Sequence, residues 1–316
     1  YVIDSYYSAW LHTHYEKEWL ATILQSENDK PEGLTKTIAE IKALGYKFSK
    51  VDVNYSGSEW TYSEEAQAFV PPLGSVKGIG DSAVSEIIEL RPFTDVKTML
   101  YTDEGAWRFS RVNKTALSAL CAVEGFESLE DFRNGIVSNH RQLLLALTDG
   151  DNYEALRKGI YGMTPAQLKK KVTEGVPVMP VVDVLLEEYR DVPDWSRAEK
   201  ISTSFEMVST VDADLLFPPD VVEMITNKDV PRLVDIPAGS EGIGWFCVAD
   251  VEEKVTKNKK KFYRIKAIDD KFRTCYVRAW GTPREPIEKY TLWVCKVQND
   301  SQWGFSTSVF KMRQMV

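Results

Sequence analysis

Two glycines flank one apolar residue at Gly78-Ile79-Gly80, directly before a stretch with helical spacing that runs from Asp81 to Leu90. Glycines there let the backbone turn tightly and come close to a partner. The first N–H groups of the following helix then point outward at the positive end of its dipole. A phosphate suits that arrangement, so Lys77, Gly78, Ile79 and Gly80 are candidates to hold nucleic-acid backbone without reading sequence. Asp81 or Ser82 is expected to cap the helix, and Val84, Ile87 and Ile88 to form its buried stripe. The pattern is the core of a helix-hairpin-helix, although two glycines around one apolar residue also occur as a plain turn between helices.

A second candidate set combines cations with flat side chains. Lys257, Lys259, Lys260 and Lys261 lie in a predicted loop. In the strands that follow, Tyr263, Ile265 and Ala267 are expected to face a core, leaving Phe262, Arg264 and Lys266 outward. By the same alternation Cys275, Val277 and Ala279 point inward, and Tyr276, Arg278 and Trp280 outward. A cationic track with aromatic platforms binds single strands, each base stack contributing about 1–3 kcal/mol. A lysine run alone is more often a solvated loop.

Other reactive residues form no convincing site. His12 and His14 are two apart on a predicted helix and do not share a face. Asp212 and Asp214 sit in a Ser/Thr-rich stretch that reads as a loop or a helix cap. The four cysteines, Cys121, Cys247, Cys275 and Cys295, are scattered, which fits reduced packing residues and a cytoplasmic location.

The elements that must carry these residues divide by rhythm. Residues 1–45 and 81–225 read mainly as helices, whereas an alternation of about two residues begins at Ile243. Strands are expected at Gly244–Val255, Lys261–Ile268, Arg273–Trp280, Tyr290–Val297 and Trp303–Lys311, an arrangement suggesting a five-stranded OB barrel. The fold class is thus α+β and multidomain, with helices followed by a C-terminal β-barrel. The net charge of −8 is uneven: residues 239–316 hold fifteen Lys and Arg against nine Asp and Glu, which leaves the first 238 at −14. The C-terminal part is therefore the better electrostatic candidate for phosphate. No apolar run is long enough to span a membrane, and none is expected as a partner.

Beyond these local patterns, the chain resembles bacterial DNA polymerase III alpha subunits, the C-family replicative polymerases. Tyr6-Tyr7-Ser8-Ala9-Trp10-Leu11 to Leu20 resembles a helix pair of the fingers, with His12 in place of a usual Lys and Glu16 in place of Pro. Leu44-Gly45-Tyr46 and Asp52-Val53-Asn54-Tyr55-Ser56 resemble an L-G and P-D-x-N-x-S segment, with Val51 in the proline position. Gly74 to Gly80 falls on G-L-x-x-I-K-G-V-G, Arg91-Pro92-Phe93 on R-x-x-P-F, and Asn113 to Phe126 on N-K-x-x-L-x-x-L followed by a G-A-F turn. Thr256 to Asp270 is similar to a stretch of the family's OB domain, with lysine where glycine is usual. Residues 148–195 have no counterpart, and the S-G-H-P turn is replaced by Ser209 to Asp214.

The resemblance implies the end of the fingers at 1–70, a tandem helix-hairpin-helix at 71–130, a helical connection at 131–235 and an OB domain at 239–316. It implies the C-terminal DNA-binding part of a DNA-directed DNA polymerase, gripping duplex product at the hairpin and unpaired template at the barrel. Catalysis would need palm carboxylates and Mg²⁺. The family's palm lies ahead of the matched region, so this chain is expected to be inert alone, to bind no cofactor, and to need a palm from the same or a split chain. A sliding clamp and an exonuclease subunit are candidate further partners. The alternatives are a stand-alone DNA-binding factor made of polymerase-derived modules, or an error-prone paralogue. The opening at Tyr1 within a helical pattern leads us to expect a piece of a longer polypeptide.

Overall fold

The computed structural model describes residues 2–208, 213–256, 259–283 and 286–315. The chain divides into two compact units, 1–210 and 211–316.

The first unit opens with three helices, α1 (Val2–His14), α2 (Glu16–Glu27) and α3 (Pro31–Ala43). Three short strands follow, β1 (Lys47–Phe48), β2 (Thr61–Ser63) and β3 (Ala68–Val70), with β3 in the middle, parallel to β1 and antiparallel to β2. Their small sheet is absent from the sequence-based expectation, because strands of two or three residues carry no readable alternation. It buries Phe69 completely against Leu20, Leu24, Leu34 and Ile41.

The main core of this unit is helical. It is built by α4 (Asp81–Leu90), α5 (Val96–Leu100), α6 (Lys114–Ala122), α7 (Glu130–Arg133), α8 (His140–Thr148), α9 (Asn152–Arg157) and α11 (Val181–Glu188). Ahead of α11, α10 (Pro165–Thr173) is closed by a capping box between Thr164 and Gln167, and none of its residues is buried. The last helix is α12 (Arg197–Val208).

Three consecutive residues tie the two glycine turns of this core together. Asn54 pairs with the Phe93 backbone as a strand would: its Oδ1 accepts from the Phe93 N–H and its Nδ2 donates to the Phe93 carbonyl, both at 2.9 Å. The Val53 N–H donates to the Gly125 carbonyl at 2.9 Å, and Asp52 accepts from the Ser128 N–H at 3.0 Å. Arg91 closes the arrangement by donating to the carbonyls of Val53 and Ser56.

The second unit begins with α13 (Ala213–Leu216) and α14 (Pro219–Thr226). A sheet follows, of β4 (Ser240–Val255), β5 (Lys261–Ile268), β6 (Thr274–Trp280), β7 (Leu292–Asp300), β8 (Gly304–Ser308) and β9 (Met312–Gln314). The order is β4-β5-β6-β8-β7-β9, and β4 also pairs with β7, so the ladder of the five longer strands returns on itself. β6 and β8 run parallel, and the other pairs are antiparallel. This is the OB-like sheet expected from the alternation, and its inward residues Phe246, Val248, Ile265, Ala267, Val277, Ala279, Cys295 and Val297 are all buried. At the β5–β6 turn Asp270 makes a two-point ion pair with Arg232, at 2.5 and 2.7 Å.

Two predictions follow from the packing of the first unit. Asn54→Ala strands the Phe93 N–H and carbonyl, costing about 1–3 kcal/mol for each group left unpaired. Denaturant unfolding should show that loss, and one below about 0.5 kcal/mol would contradict the role given to Asn54. His140 is buried, stacked on Phe132 with ring centres 4.3 Å apart, and its Nε2 has no hydrogen-bond partner among the described residues. Burial lowers its pKa to about 4, against opposing fields from Glu124 and Asp194. Because the folded value lies below the unfolded one of about 6.5, stability is full above pH 6.5 and falls towards pH 4, with a slope of at most about 1.4 kcal/mol per pH unit. Stability measured across that window should depend less on pH in His140→Phe than in the parent chain.

Candidate nucleic-acid interface

The turn at 76–80 assigns different duties to its two glycines. Gly78 has φ +96°, a left-handed conformation, and a Cβ there would meet the Thr115 methyl at 3.3 Å and Ala119 Cβ at 3.6 Å. Its glycine serves the fold. Gly80 has φ −83°, which any residue can adopt, and a Cβ there would have no atom of the described residues within 4 Å. Between them Ile79 is buried and anchors the turn in the core, while Lys77 is exposed.

Gly80 is the N-cap of α4, a position expected for Asp81 or Ser82. Those two lie one and two residues inside the helix, and no side chain caps it. The N–H groups of Ala83 and Val84 go to the Gly80 carbonyl, whereas those of Asp81 and Ser82 find no acceptor among the described residues. The Lys77 N–H is taken by the Met207 carbonyl on α12 at 2.8 Å. The buried face of α4 is Ala83, Val84 and Ile87; Ile88, expected inside, is 38% exposed because Ala83 fills the place facing the core.

The second glycine turn, between α6 and α7, is closed from within. Glu124 takes a left-handed conformation, φ +60°, and Lys50 and Lys200 each sit 2.6 Å from its carboxylate. Burial alone would raise the Glu124 pKa, but hydrogen bonds from Lys200 and Lys50 outweigh it and hold the carboxyl at about 2. The turn thus already contains an anion with its cations. This leaves the turn at Gly80 as the open one of the pair.

In the second unit the predicted outward residues share one face in cross-strand register. Phe262 lies opposite Trp280, Arg264 opposite Arg278, and Lys266 opposite Tyr276. The Phe262 and Trp280 rings are 5.0 Å apart, tilted by 33°. The Arg264 guanidinium lies 4.1 Å over the ring of Tyr276, which is 51% exposed. The lysine loop is less uniform than expected. Lys257 lies outside the described residues, Lys259 takes φ +57°, Lys260 is exposed, and Lys261 pairs with Glu253 at 2.7 Å. Glu252 lies opposite Arg264 on β4, at 4.0 Å from its guanidinium, and pairs with Lys254 at 2.8 Å, so carboxylates offset part of the basic track.

Trp303 was expected to open a strand running to Lys311, but the strand observed there is Gly304–Ser308, which leaves Trp303 in the turn before β8. The residue is 65% exposed, and its indole lies beside Arg278 of the same face. Asp212 lies outside the described residues. Among the described residues no three His, Cys, Asp or Glu side chains could hold a metal ion. Nor is any described helix long and apolar enough to cross a membrane.

The roles of the two glycines generate a test by thermal unfolding. Gly78→Ala should cost about 1–2 kcal/mol for the left-handed backbone, whereas Gly80→Ala should stay within about 0.5 kcal/mol of the parent. Equal losses would contradict the division.

Residues 45–136, which contain both turns, match a family described as helix-hairpin-helix motif. The chain is 22% identical over 295 residues to a DNA polymerase III subunit alpha from Chlamydia pneumoniae, covering 89% of this chain and 22% of that protein. The Chlamydia muridarum counterpart is 31% identical over 134 residues, 41% of this chain and 10% of its own length. A Neisseria meningitidis counterpart is 27% identical over 205 residues, 64% of this chain and 16% of its own length. The chain thus spans about a fifth or less of the relatives it matches. Through its helix-hairpin-helix and over most of its length, it is related to bacterial DNA polymerase III alpha subunits.

Proposed function

We propose that the chain is the C-terminal DNA-binding portion of a DNA polymerase III alpha-type enzyme, holding duplex product at the turn of Lys77, Gly78, Ile79 and Gly80. The observation that carries this reading is the uncapped start of α4: two N–H groups without acceptors among the described residues, beside a glycine that none of them crowds. A phosphate there would gain hydrogen bonds and the helix dipole. It would meet only backbone, so every DNA sequence would be held alike.

The unpaired template lies on the outward face of β5 and β6, where bases stack on Phe262, Tyr276 and Trp280 while Arg264, Lys266 and Arg278 neutralise phosphates. The basic loop at Lys257, Lys259, Lys260 and Lys261 extends that track. On this reading nucleotide transfer belongs to a palm outside this chain, whose match spans 22% of the Chlamydia pneumoniae protein. Mg²⁺ is required there.

Two substitutions at the α4 start should move duplex binding in opposite directions. Gly80→Val places a branched side chain where the phosphate backbone must approach and should weaken binding to duplexes of any sequence. Asp81→Asn removes an exposed negative charge from the helix start and should tighten binding roughly two- to five-fold at low salt, the equivalent of about 0.3–1 kcal/mol. Fluorescence anisotropy on duplexes of several sequences reads both effects. Unchanged affinity in folded Gly80→Val would reduce the hairpin to a structural turn.

A further inference from the structure

A large aromatic side chain left in water normally marks either a mobile segment or a contact surface, and Trp303 is not loosely held. The Asp300 carboxylate accepts hydrogen bonds from the backbone N–H groups of Gln302 and Trp303, both at 2.8 Å. Arg278 Nη2 donates to the Trp303 carbonyl, and its guanidinium lies 5.8 Å from the indole centre. Gly304, at φ +69°, completes the turn. The backbone of Trp303 is therefore fixed from two directions while 65% of the residue remains exposed. An exposed aromatic held in place before its partner arrives loses little entropy on binding, which is how contact anchors are made.

The position of Trp303 narrows what it can contact. Arg278 lies in register with Arg264 on β5 and with Ser306 on β8, so the indole sits beside the same outward face that carries Phe262, Tyr276 and Trp280. At the other end of β8, Phe310 is 68% exposed, and its ring lies 3.6 Å from where a Gly281 Cβ would stand, immediately after Trp280. Aromatic surface thus continues past both ends of the β6–β8 ladder, with guanidinium groups between the rings. Alternating flat rings and cations match the alternating bases and phosphates of a single strand. Duplex DNA offers only the cations a partner, because its bases are stacked on one another.

We propose that Trp303 is a base-stacking anchor for single-stranded DNA, extending the template-binding face beyond β5 and β6 onto the β7–β8 turn, with Arg278 as its positioning residue. The inference rests on the reading that this face binds unpaired template.

The test uses the full chain and oligo-dT, with Trp303→Ala, Trp303→Phe and Tyr276→Ala compared at fixed salt. Trp303→Ala should weaken single-strand binding roughly 5- to 150-fold, the equivalent of about 1–3 kcal/mol for one stacked base, and leave duplex affinity unchanged. Trp303→Phe, which keeps a ring, should recover most of the loss. A series of oligomers, each with one abasic position, gives a readout that a structural role would not move. One such oligomer should lose for the parent chain what Trp303→Ala loses, and the two losses should not add. If Tyr276→Ala weakens binding while Trp303→Ala does not, or if Trp303 and abasic losses add at every position, the anchor is refuted and the template-binding face stands. If neither variant changes single-strand affinity, the template-binding face itself fails, and the anchor with it.

Discussion

The first unit depends on the grip of Asp52, Val53 and Asn54 on the two glycine turns. Asn54 replaces a strand partner for Phe93, just after α4, and Val53 donates to Gly125 in the second turn. One short segment therefore fixes where both turns lie with respect to each other. Arg91 is partly desolvated there and spends its donors on carbonyls of the same segment. Hydrogen bonds of this kind contribute modestly when made but cost more when one partner is lost. The start of α4 can then be left uncapped because nothing else about its position is left free.

The same logic explains why the two turns differ in chemistry despite their related shape. A turn that presents N–H groups to the outside attracts an anion. At the second turn the anion is Glu124, held by Lys50 and Lys200 inside the protein. At the first, Asp81 is an exposed carboxylate one position inside the helix. Internal satisfaction of this kind stabilises the fold. The second unit handles its aromatic residues in a parallel way: inward rings such as Phe246 fill the core, while Trp280, Tyr276 and Trp303 are braced by neighbours but stay accessible.

Much of this was legible in the residues. The glycine pair announced the turn, and the two-residue alternation gave five strands to within a few residues, because a sheet with one buried face imposes that period on side chains. Cross-strand partners such as Phe262 and Trp280 were not readable, since register depends on turn geometry rather than on alternation. The link between Asn54 and Phe93 spans 39 residues and involves backbone groups, which leave no trace in residue type. Ile88 was misplaced because helical spacing alone does not say where a stripe is centred; Ala83, a smaller residue, occupies the buried side. Trp303 was missed as a site residue because it stands at the edge of its expected strand, where the inward–outward alternation has no preceding residue to set its phase. The pairing of Glu252 with Lys254 and of Glu253 with Lys261 beside the basic track was not readable, since it depends on the register of β4 and β5.

The central claim is that two separate surfaces of one chain take the two forms of DNA that meet at a primer–template junction. Amide hydrogen exchange of the whole chain tests it directly, by comparing the free protein with complexes of duplex, oligo-dT and a junction containing both. Duplex should slow exchange at the start of α4, around Asp81 and Ser82, and leave β5 to β8 unchanged. Oligo-dT should do the reverse, and the junction should protect both regions at once. Protection of one shared region by duplex and single strand alike, or an unchanged α4 start in the presence of saturating duplex, would contradict the division of labour.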